Sequence, residues 1–288
     1  MNADIVTWVN GDFVAAGSPQ VAPSAYGVTI GEGLFETLAV YSGRIFALDL
    51  HLARLATSAA ALQMTVPDTS KLRLACLAVA QELAGHSVAR LRLTVTSGPA
   101  GLGVLGAPSR PDIMVLGSVT PSPQLGSINT KRASLVTSPW RRNEFSAVTG
   151  HKVTSYYENA LALRAAAAAG GDEALLLNSA GFVSEGATSN LLFDASGQLV
   201  TPSLRAGGLP GVTRALVLQW SRLAGLPIVE VDDLTPGALA GAPAALLGTL
   251  RNVQEVASLD GATLASSPLI RRVQELFAEN MPALLDHS

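Results

Sequence analysis

Cysteine is nearly absent from this chain, and charged residues are scarce. Cys76 is the only cysteine among 288 residues, which excludes an intramolecular disulfide framework and is typical of a reducing compartment. Charged residues make up 14% of the chain against 48% hydrophobic residues, so disorder is excluded as the state of most of the chain. The 19 basic and 22 acidic side chains form no run of either sign, so no charged surface for nucleic acid or an anionic membrane is indicated.

A long apolar run is missing as well. The uncharged stretch from Ile113 to Thr130 contains Pro121, Pro123 and several polar residues, whereas a membrane helix needs about 20 mostly apolar residues. The segment Met1–Trp8 carries Asp4 and lacks the basic and apolar regions of a signal peptide. We therefore expect a cytoplasmic protein with neither a membrane nor a nucleic acid as partner.

Hydrophobic periodicity predicts an α+β protein of two domains. Strands are predicted at 5–9, 13–15, 34–41, 89–96, 113–119 and 133–137, with a further cluster between 174 and 200. Helices are predicted at 48–62, 72–83, 155–169, 211–223 and 268–285. The segment Thr120–Ser127 holds two prolines and no charge, which is typical of a linker. We expect a smaller N-terminal domain at 1–120, a linker at 121–128 and a larger C-terminal domain at 129–288.

Lysine is rare, and one of the three lysines stands where chemistry is plausible. The chain contains three lysines, Lys71, Lys131 and Lys152, and sixteen arginines. Lys152 lies between a polar loop and a predicted helix, and the dipole at a helix N-terminus lowers the pKa of a nearby lysine. A neutral lysine amine forms Schiff bases with carbonyl compounds, pyridoxal phosphate included. The alternative is an ordinary surface lysine.

Two later segments could bind a charged ligand. Glu185 is surrounded by small residues, so a planar ligand could approach its carboxylate and a protonated ring nitrogen could pair with it. Ala206–Arg214 is rich in glycine and leads into a helix, and the free N–H groups of a helix start bind phosphate. It lacks the Gly-Lys-Ser/Thr ending of nucleotide-binding loops. A solvated turn carboxylate and a purely structural turn remain the alternatives.

Several further side chains could contribute. Thr249 follows a buried-looking strand, and its hydroxyl could contact phosphate, as could Arg54 on the first long helix. Arg90 and Arg92 alternate in a predicted strand and therefore point to one face, where either could bind a substrate carboxylate. The four histidines and the single cysteine lack the spacing of metal ligands, so we expect no metal.

Taken together, these segments resemble the class IV (fold type IV) pyridoxal-phosphate enzymes over nearly the whole chain. The matching segments, in order, are Trp8–Gly11, Gly31–Thr37, His51–Leu55, Gly150–Lys152, Ser184–Phe193, Gly211–Arg214 and Gly248–Thr249. The resemblance implies a two-domain α+β fold like that of D-amino-acid aminotransferase, with pyridoxal 5'-phosphate between the domains. It also implies a homodimer acting on a small-molecule substrate.

The resemblance also implies a role for individual residues. Lys152 matches the lysine that bonds covalently to the cofactor, and Glu185 matches the carboxylate that holds the pyridine nitrogen. Tyr157 matches a tyrosine that contacts the ring hydroxyl in branched-chain aminotransferases. The positions that match phosphate contacts are Arg54, Val212, Thr213 and Thr249.

The family contains 4-amino-4-deoxychorismate lyases, branched-chain aminotransferases and D-amino-acid aminotransferases. Phe35–Thr37, Arg90–Gly98 and Thr249–Val253 resemble the lyases, so we expect the lyase reaction, which releases pyruvate and 4-aminobenzoate for folate synthesis. Lys152 would be its general base, and Thr37 would position the leaving group or relay its proton.

Arg92 matches an arginine that binds carboxylate in branched-chain enzymes, and Arg90 and Arg251 are further candidates for that contact. An amino-acid aminotransferase is therefore the alternative reading. A remote alternative is a cofactor-binding protein without catalysis.

Overall fold

The computed structural model describes residues 5–15, 18, 21–104, 106 and 110–286. The strands are β1 (Val6–Val9), β2 (Asp12–Phe13), β3 (Gly33–Tyr41), β4 (Arg44–Ile45), β5 (Ala89–Thr96), β6 (Asp112–Val119), β7 (Ala133–Arg142), β8 (Glu173–Asn178), β9 (Val183–Gly186), β10 (Asn190–Ala195), β11 (Gln198–Pro202), β12 (Ile228–Val231), β13 (Ala244–Gly248), β14 (Asn252–Leu259) and β15 (Ala262–Thr263). The α-helices are α1 (Tyr26–Thr29), α2 (Leu48–Ala61), α3 (Thr69–Glu82), α4 (Tyr157–Ala168), α5 (Val212–Leu223) and α6 (Pro268–Asn280). The expected α+β class is confirmed.

The chain divides into two compact units. The first unit contains Met1–Leu125, His151–Ser155 and Pro282–Ser288, and the second contains Gly126–Gly150 and Tyr156–Met281. The change from the first unit to the second falls inside the linker expected at 121–128. The second domain expected at 129–288 is not continuous, because two of its segments, one of them carrying Lys152, belong to the first unit.

The first unit is a six-stranded antiparallel sheet with helices on one face. Its strand order is β2-β1-β6-β5-β3-β4. Helix α2 presents apolar residues at intervals of three and four positions, which gives it one buried face. In β3, side chains alternate between the two sides of the sheet: Leu34, Leu38 and Val40 join the core with α2 and α3, so Phe35 and Thr37 face the other side.

The short segment His151–Ser155 is attached to the beginning of β3. The N–H of Phe35 donates to the carbonyl of Lys152 at 2.9 Å, and the N–H of Thr154 donates to the carbonyl of Gly33 at 2.8 Å. Gly31 has φ +71°, and a side chain there would collide with Ser155 Oγ at 2.5 Å, so glycine is required at this approach. Backbone pairing with β3 thus fixes the position of Lys152.

The second unit is a nine-stranded mixed sheet. Its main strand order is β12-β11-β10-β13-β14-β7-β8-β9, and β15 pairs with β14. The pairs β11–β12, β7–β14 and β7–β8 are parallel, whereas the other pairs are antiparallel. A core that includes Leu175, Leu191, Phe193 and Leu246 covers one face of the sheet.

Three of the predicted helices have a boundary that differs from the sequence prediction by two residues or more. Helix α3 begins at Thr69 and not at residue 72, because Asp68 caps it by accepting the N–H of Ser70. The last helix was expected to reach Leu285, but α6 ends at Asn280 and the chain continues as a 3-10 turn at Met281–Leu284, because Pro282 has no N–H with which to continue the α-helical hydrogen bonds. Helix α4 begins at Tyr157 rather than at Ser155. Lys152 lies five residues before the start of α4. No helix in the described part of the chain is long and apolar enough to cross a membrane.

Candidate functional site

In the first unit, the amine of Lys152 lies over the ring of Phe35. Its Nζ is 4.5 Å from the ring centroid, and Cζ of Arg92 is 3.7 Å from the same centroid. Phe35 is buried, whereas Lys152 and Arg92 are half-buried. Because the face of an aromatic ring attracts cations, Phe35 holds both positive side chains on its own side of the sheet.

Thr37 lies on that same side, two residues after Phe35. It stands directly opposite Arg92 in β5, and Ala39 stands opposite Arg90. Arg92 Nε donates to Thr94 Oγ1 at 3.2 Å, while Arg90 is exposed. The strand register therefore brings the predicted residues Lys152, Thr37 and Arg92 to one side of β3 and β5. Arg90 lies on this side too, but farther along the strand from Phe35.

Arg54 is held on the opposite side of the sheet by Glu36. Arg54 Nε donates to Glu36 Oε1 at 2.9 Å, and Arg54 Nη2 donates to Oε2 at 2.5 Å. Burial raises the pKa of Glu36, but the charge of Arg54 and the hydrogen bond with His51 outweigh it and lower the pKa from 4.5 to about 2. The carboxylate is therefore ionised, and it fixes the orientation of the Arg54 guanidinium.

His51 completes this buried group. Its Nδ1 lies 2.7 Å from Glu36 Oε2, and burial lowers its pKa although the hydrogen bond to Glu36 acts in the opposite direction. A neutral imidazole donates through Nδ1 to the carboxylate and keeps Nε2 as an acceptor. His51 Nε2 is buried and has no hydrogen-bond partner among the residues that the structure describes.

In the second unit, Glu185 is surrounded by donors. Its Oε2 accepts the N–H of Leu209 at 2.8 Å and lies 3.4 Å from Asn190 Nδ2, and its Oε1 lies 3.4 Å from Arg142 Nη2. Only 10% of the side chain is exposed. Charge-assisted bonds of this kind favour the ionised carboxylate. Glu185 is thus placed as a stable anion at the end of β9.

The glycine-rich segment and the start of α5 lie beside Glu185. Asn190 Nδ2 donates to the carbonyl of Leu209 at 2.9 Å, and a side chain on Gly211 would meet Asn190 Oδ1 at 2.0 Å, which explains the glycine. Thr213 is 2% exposed, and its hydroxyl has no hydrogen-bond partner within the described ranges. The first N–H groups of α5 have no acceptor inside the helix, so Val212 and Thr213 offer donors for an anion.

Thr249 lies in the turn that follows β13, and Arg251 closes this turn by donating its N–H to the carbonyl of Gly248 at 3.0 Å. Arg251 is also one of the residues expected to contact the substrate. Its guanidinium pairs with the buried Glu173 at 3.3 Å and donates to Gln254 Oε1 at 2.9 Å. The positive charge of Arg251 therefore compensates the buried carboxylate of Glu173 inside the second unit.

Tyr157, which was expected to contact the ring hydroxyl of the cofactor, is the first residue of α4. Its side chain is 64% exposed and lies near Arg164, 5.8 Å from ring centroid to guanidinium carbon. The preceding tyrosine, Tyr156, is half-buried and donates to the carbonyl of Ala187 at 2.8 Å. Tyr156, and not Tyr157, therefore contacts the turn that follows Glu185.

Comparison with known proteins gives one consistent family. The sequence model described as "Amino-transferase class IV" matches residues 33–259. A provisionally named branched-chain-amino-acid aminotransferase of Methanocaldococcus jannaschii is 29% identical over 278 residues, 94% of this chain and 95% of the relative. The solved T.th. branched-chain amino acid aminotransferase, complexed with N-(5'-phosphopyridoxyl)-L-glutamate, has a TM-score of 0.87 at 27% identity over 98% of both chains. A provisionally named 4-amino-4-deoxychorismate lyase of Legionella pneumophila shares the fold, with a TM-score of 0.81 at 24% identity over 92% of this chain and 97% of that one.

The residues present fit pyridoxal phosphate. The buried, unpartnered hydroxyl of Thr213 stands at the start of α5, which suits a phosphate. The anion Glu185 suits a protonated pyridine nitrogen, and the amine of Lys152 suits an aldehyde. The described residues hold no group of three or more His, Cys, Asp or Glu side chains that could bind a metal ion.

Sequence reasoning missed Glu36, Glu173 and Arg142. Glu36 was detectable in principle, because it is the only charge in the apolar strand Leu34–Tyr41. Glu173 directly precedes the apolar run Ala174–Leu177, but the neighbouring Asp172 makes it less conspicuous. Such a charge requires a buried partner. No local pattern marks Arg142 as the partner of Glu185, which lies 43 residues later.

Proposed function

The chain belongs to the class IV aminotransferases, enzymes that use pyridoxal phosphate, and on that premise we propose that Lys152 carries the cofactor through its ε-amine. Glu185 would pair with the pyridine nitrogen, and the start of α5 with Thr213, Arg54 and Thr249 would bind the phosphate. When bound, the cofactor accepts the electrons of a bond that breaks next to the substrate amine. Glu185 keeps its negative charge because Arg142 and the N–H of Leu209 stabilise it.

We propose that the reaction is the lyase reaction: 4-amino-4-deoxychorismate gives 4-aminobenzoate and pyruvate. Lys152 removes the ring proton whose loss makes the ring aromatic, the bond to the enolpyruvyl oxygen breaks, and the leaving group gains a proton to become pyruvate. The observation that carries this proposal is the position of Thr37. Thr37 stands opposite Arg92 in the strand register and on the same side of β3 as the Lys152 amine. Its hydroxyl would pass a proton there while Arg92 binds carboxylate.

An amino-acid aminotransferase is the second candidate. The names of the M. jannaschii and T.th. relatives favour it, and Arg92 would then bind the carboxylate of a branched-chain or D-amino acid or of the keto acid. Lys152 would move a proton without any bond to a leaving group being broken. A cofactor-binding protein without catalysis is the remote alternative, which the presence of both Lys152 and Glu185 disfavours.

The presence or absence of a keto acid distinguishes the two reactions. Purified protein is incubated with 4-amino-4-deoxychorismate and no keto acid, and 4-aminobenzoate and pyruvate are measured. A parallel series offers L- and D-amino acids with 2-oxoglutarate. We expect both products in equal amounts in the first assay. Turnover confined to the second assay would establish the aminotransferase instead.

We also propose a cytoplasmic homodimer. The buried free thiol of Cys76 suits a reducing compartment. The second unit exposes Trp140 (50%), Phe145 (84%), Val148 (45%) and Leu204 (43%), and exposed apolar patches mark interaction surfaces. Light scattering should give twice the monomer mass, and Phe145→Glu should reduce it to the monomer mass. Leu223→Glu, at an exposed position of α5, is the control.

A further inference from the structure

A buried carboxylate, Glu173, connects two turns of the second unit. It begins β8 and is 0% exposed. Its Oε2 accepts hydrogen bonds from Thr188 Oγ1 at 2.5 Å, Ser189 Oγ at 3.2 Å and Arg251 Nη2 at 3.3 Å. Its Oε1 accepts the N–H of Ala174 at 3.0 Å. The carboxylate of Glu173 therefore accepts hydrogen bonds from four donors.

The charge of Glu173 is balanced locally. A buried carboxylate is costly unless a cation and hydrogen-bond donors compensate it. Arg251 supplies the cation, and the hydroxyl groups of Thr188 and Ser189 supply donors. Because these hydroxyl groups point to Glu173, the carboxylate determines how the turn that contains them is oriented.

The first connected turn, Gly186–Ser189, directly follows Glu185. The N–H of Gly186 donates to the carbonyl of Ser189 at 2.7 Å. A side chain on Gly186 would meet Ser189 Oγ at 2.4 Å. The turn is therefore tight, and its two hydroxyl-bearing residues are fixed on Glu173.

The second connected turn runs from Gly248 to Arg251 and contains Thr249. It lies beside the first, because β10 and β13 are paired and an added side chain on Gly248 would lie 3.8 Å from the Thr188 carbonyl. Arg251, at the end of the second turn, is bound to the same carboxylate oxygen as Thr188. Glu173 thus holds the two turns against each other.

We propose that Glu173 is a positioning residue for the phosphate end of the cofactor, because it places the turn that carries Thr249. This inference rests on the proposed placement of the phosphate at Thr249. The ring end depends less on Glu173, since the carboxylate of Glu185 has its own partners in Leu209, Asn190 and Arg142. Loss of the Glu173 charge therefore weakens phosphate binding selectively.

Glu173→Gln tests this selectivity. The apoprotein is titrated with pyridoxal phosphate and with pyridoxal, which lacks the phosphate, and both dissociation constants are measured by absorbance. We expect affinity for pyridoxal phosphate to fall about tenfold or more, the effect of losing one charge-assisted hydrogen bond, and affinity for pyridoxal to change by less than about threefold. A role in folding alone would weaken both ligands equally.

Asp194→Asn is the matched control. Asp194 also accepts a serine hydroxyl and a backbone N–H, from Ser267 and Gly197, but at the opposite end of β10. This variant should leave both affinities unchanged. Thr188→Val, a milder change, should lower the affinity for pyridoxal phosphate in the same selective way and replaces Glu173→Gln if that variant does not fold.

Other outcomes overturn the inference. Equal losses for both ligands, or no loss in either variant, would show that Glu173 has no positioning role. Tighter binding of pyridoxal phosphate by Glu173→Gln would show that the carboxylate withholds Arg251 from the phosphate. If the wild-type protein itself binds neither ligand covalently, the proposed function fails, which is a separate result.

Discussion

Glu36 and Thr37 are neighbours in β3 but face opposite sides of the sheet. Glu36 points to α2, where it binds Arg54 through both carboxylate oxygens. Thr37 stands opposite Arg92 on the side where Lys152 lies over Phe35. Strand β3 therefore carries both Glu36, which orients the candidate phosphate-binding residue Arg54, and Thr37, the candidate catalytic residue. A shift of a single residue in its pairing would exchange the two roles.

Replacement of Lys152 by alanine should remove the covalent bond to the cofactor. We expect Lys152→Ala to lose the yellow absorbance of the reconstituted protein. Activity should fall by about 10³-fold or more, because general acid–base catalysis alone contributes about 10² to 10⁴. Absorption spectra and product assays measure both effects. Lys131→Ala is the control and should stay yellow and active; a borohydride-fixed adduct on Lys71 or Lys131 would contradict the assignment.

Replacement of Thr37 by valine should reduce the lyase reaction while the cofactor stays bound. Valine keeps the shape of threonine but cannot pass a proton, so we expect kcat to fall by about 10²-fold, with a smaller change in KM. Thr37→Ser keeps the hydroxyl and should remain within about tenfold of the wild type. Equal activities of the valine and serine variants would show that the hydroxyl has no role.

Glu36 should make the stability of the first unit depend on pH. A carboxyl group whose pKa is lower in the folded chain stabilises the fold above its unfolded pKa. For Glu36 this contribution is lost as the pH falls from about 4.5 towards about 2, and it amounts to about 3 kcal/mol. Urea unfolding should therefore separate the wild type from Glu36→Gln most at pH 7 and least near pH 3. Glu82→Gln, the same substitution at an exposed position, is the control variant.

Cys76 should be unreactive in the folded protein. Burial raises the pKa of its thiol from 9.0 to about 12, so only about one thiol in 10⁴ is ionised at pH 8, and the side chain is fully buried. We expect iodoacetamide to label the unfolded chain rapidly and the native protein only as fast as it unfolds. Rapid labelling of the native protein, followed by peptide mass mapping, would contradict this burial.

The secondary structure could be predicted largely because apolar periodicity is a local property. The strand at Ala89–Thr96 was predicted with its observed ends, and α2 and α5 were predicted to within one residue. Proline and helix caps act locally as well. Among the helices, the exceptions were the start of α3, which the Asp68 cap sets, the start of α4, near the pairing of Ser155 with Gly31, and the end of α6, which Pro282 sets.

The site was predictable only in part. Lys152 and Glu185 stand out because of their surroundings in the sequence, whereas Glu173 has partners 15 to 78 residues away that only the pairing of strands brings together. The choice between Tyr156 and Tyr157 depends on where α4 begins, since one residue changes the direction of a side chain by about 100°. The pairing of Arg251 with Glu173 could not be predicted either, because the two residues are 78 positions apart in the sequence.

The docking of His151–Ser155 on β3 has a consequence for any attempt to divide this protein. A cut at residue 125 leaves the N-terminal fragment without Lys152. The C-terminal fragment retains Lys152 but loses β3, the strand that orients it. Neither half can be engineered, exchanged or expressed as an independent carrier of the chemistry. Any chimera has to transfer these five residues together with the partner strand.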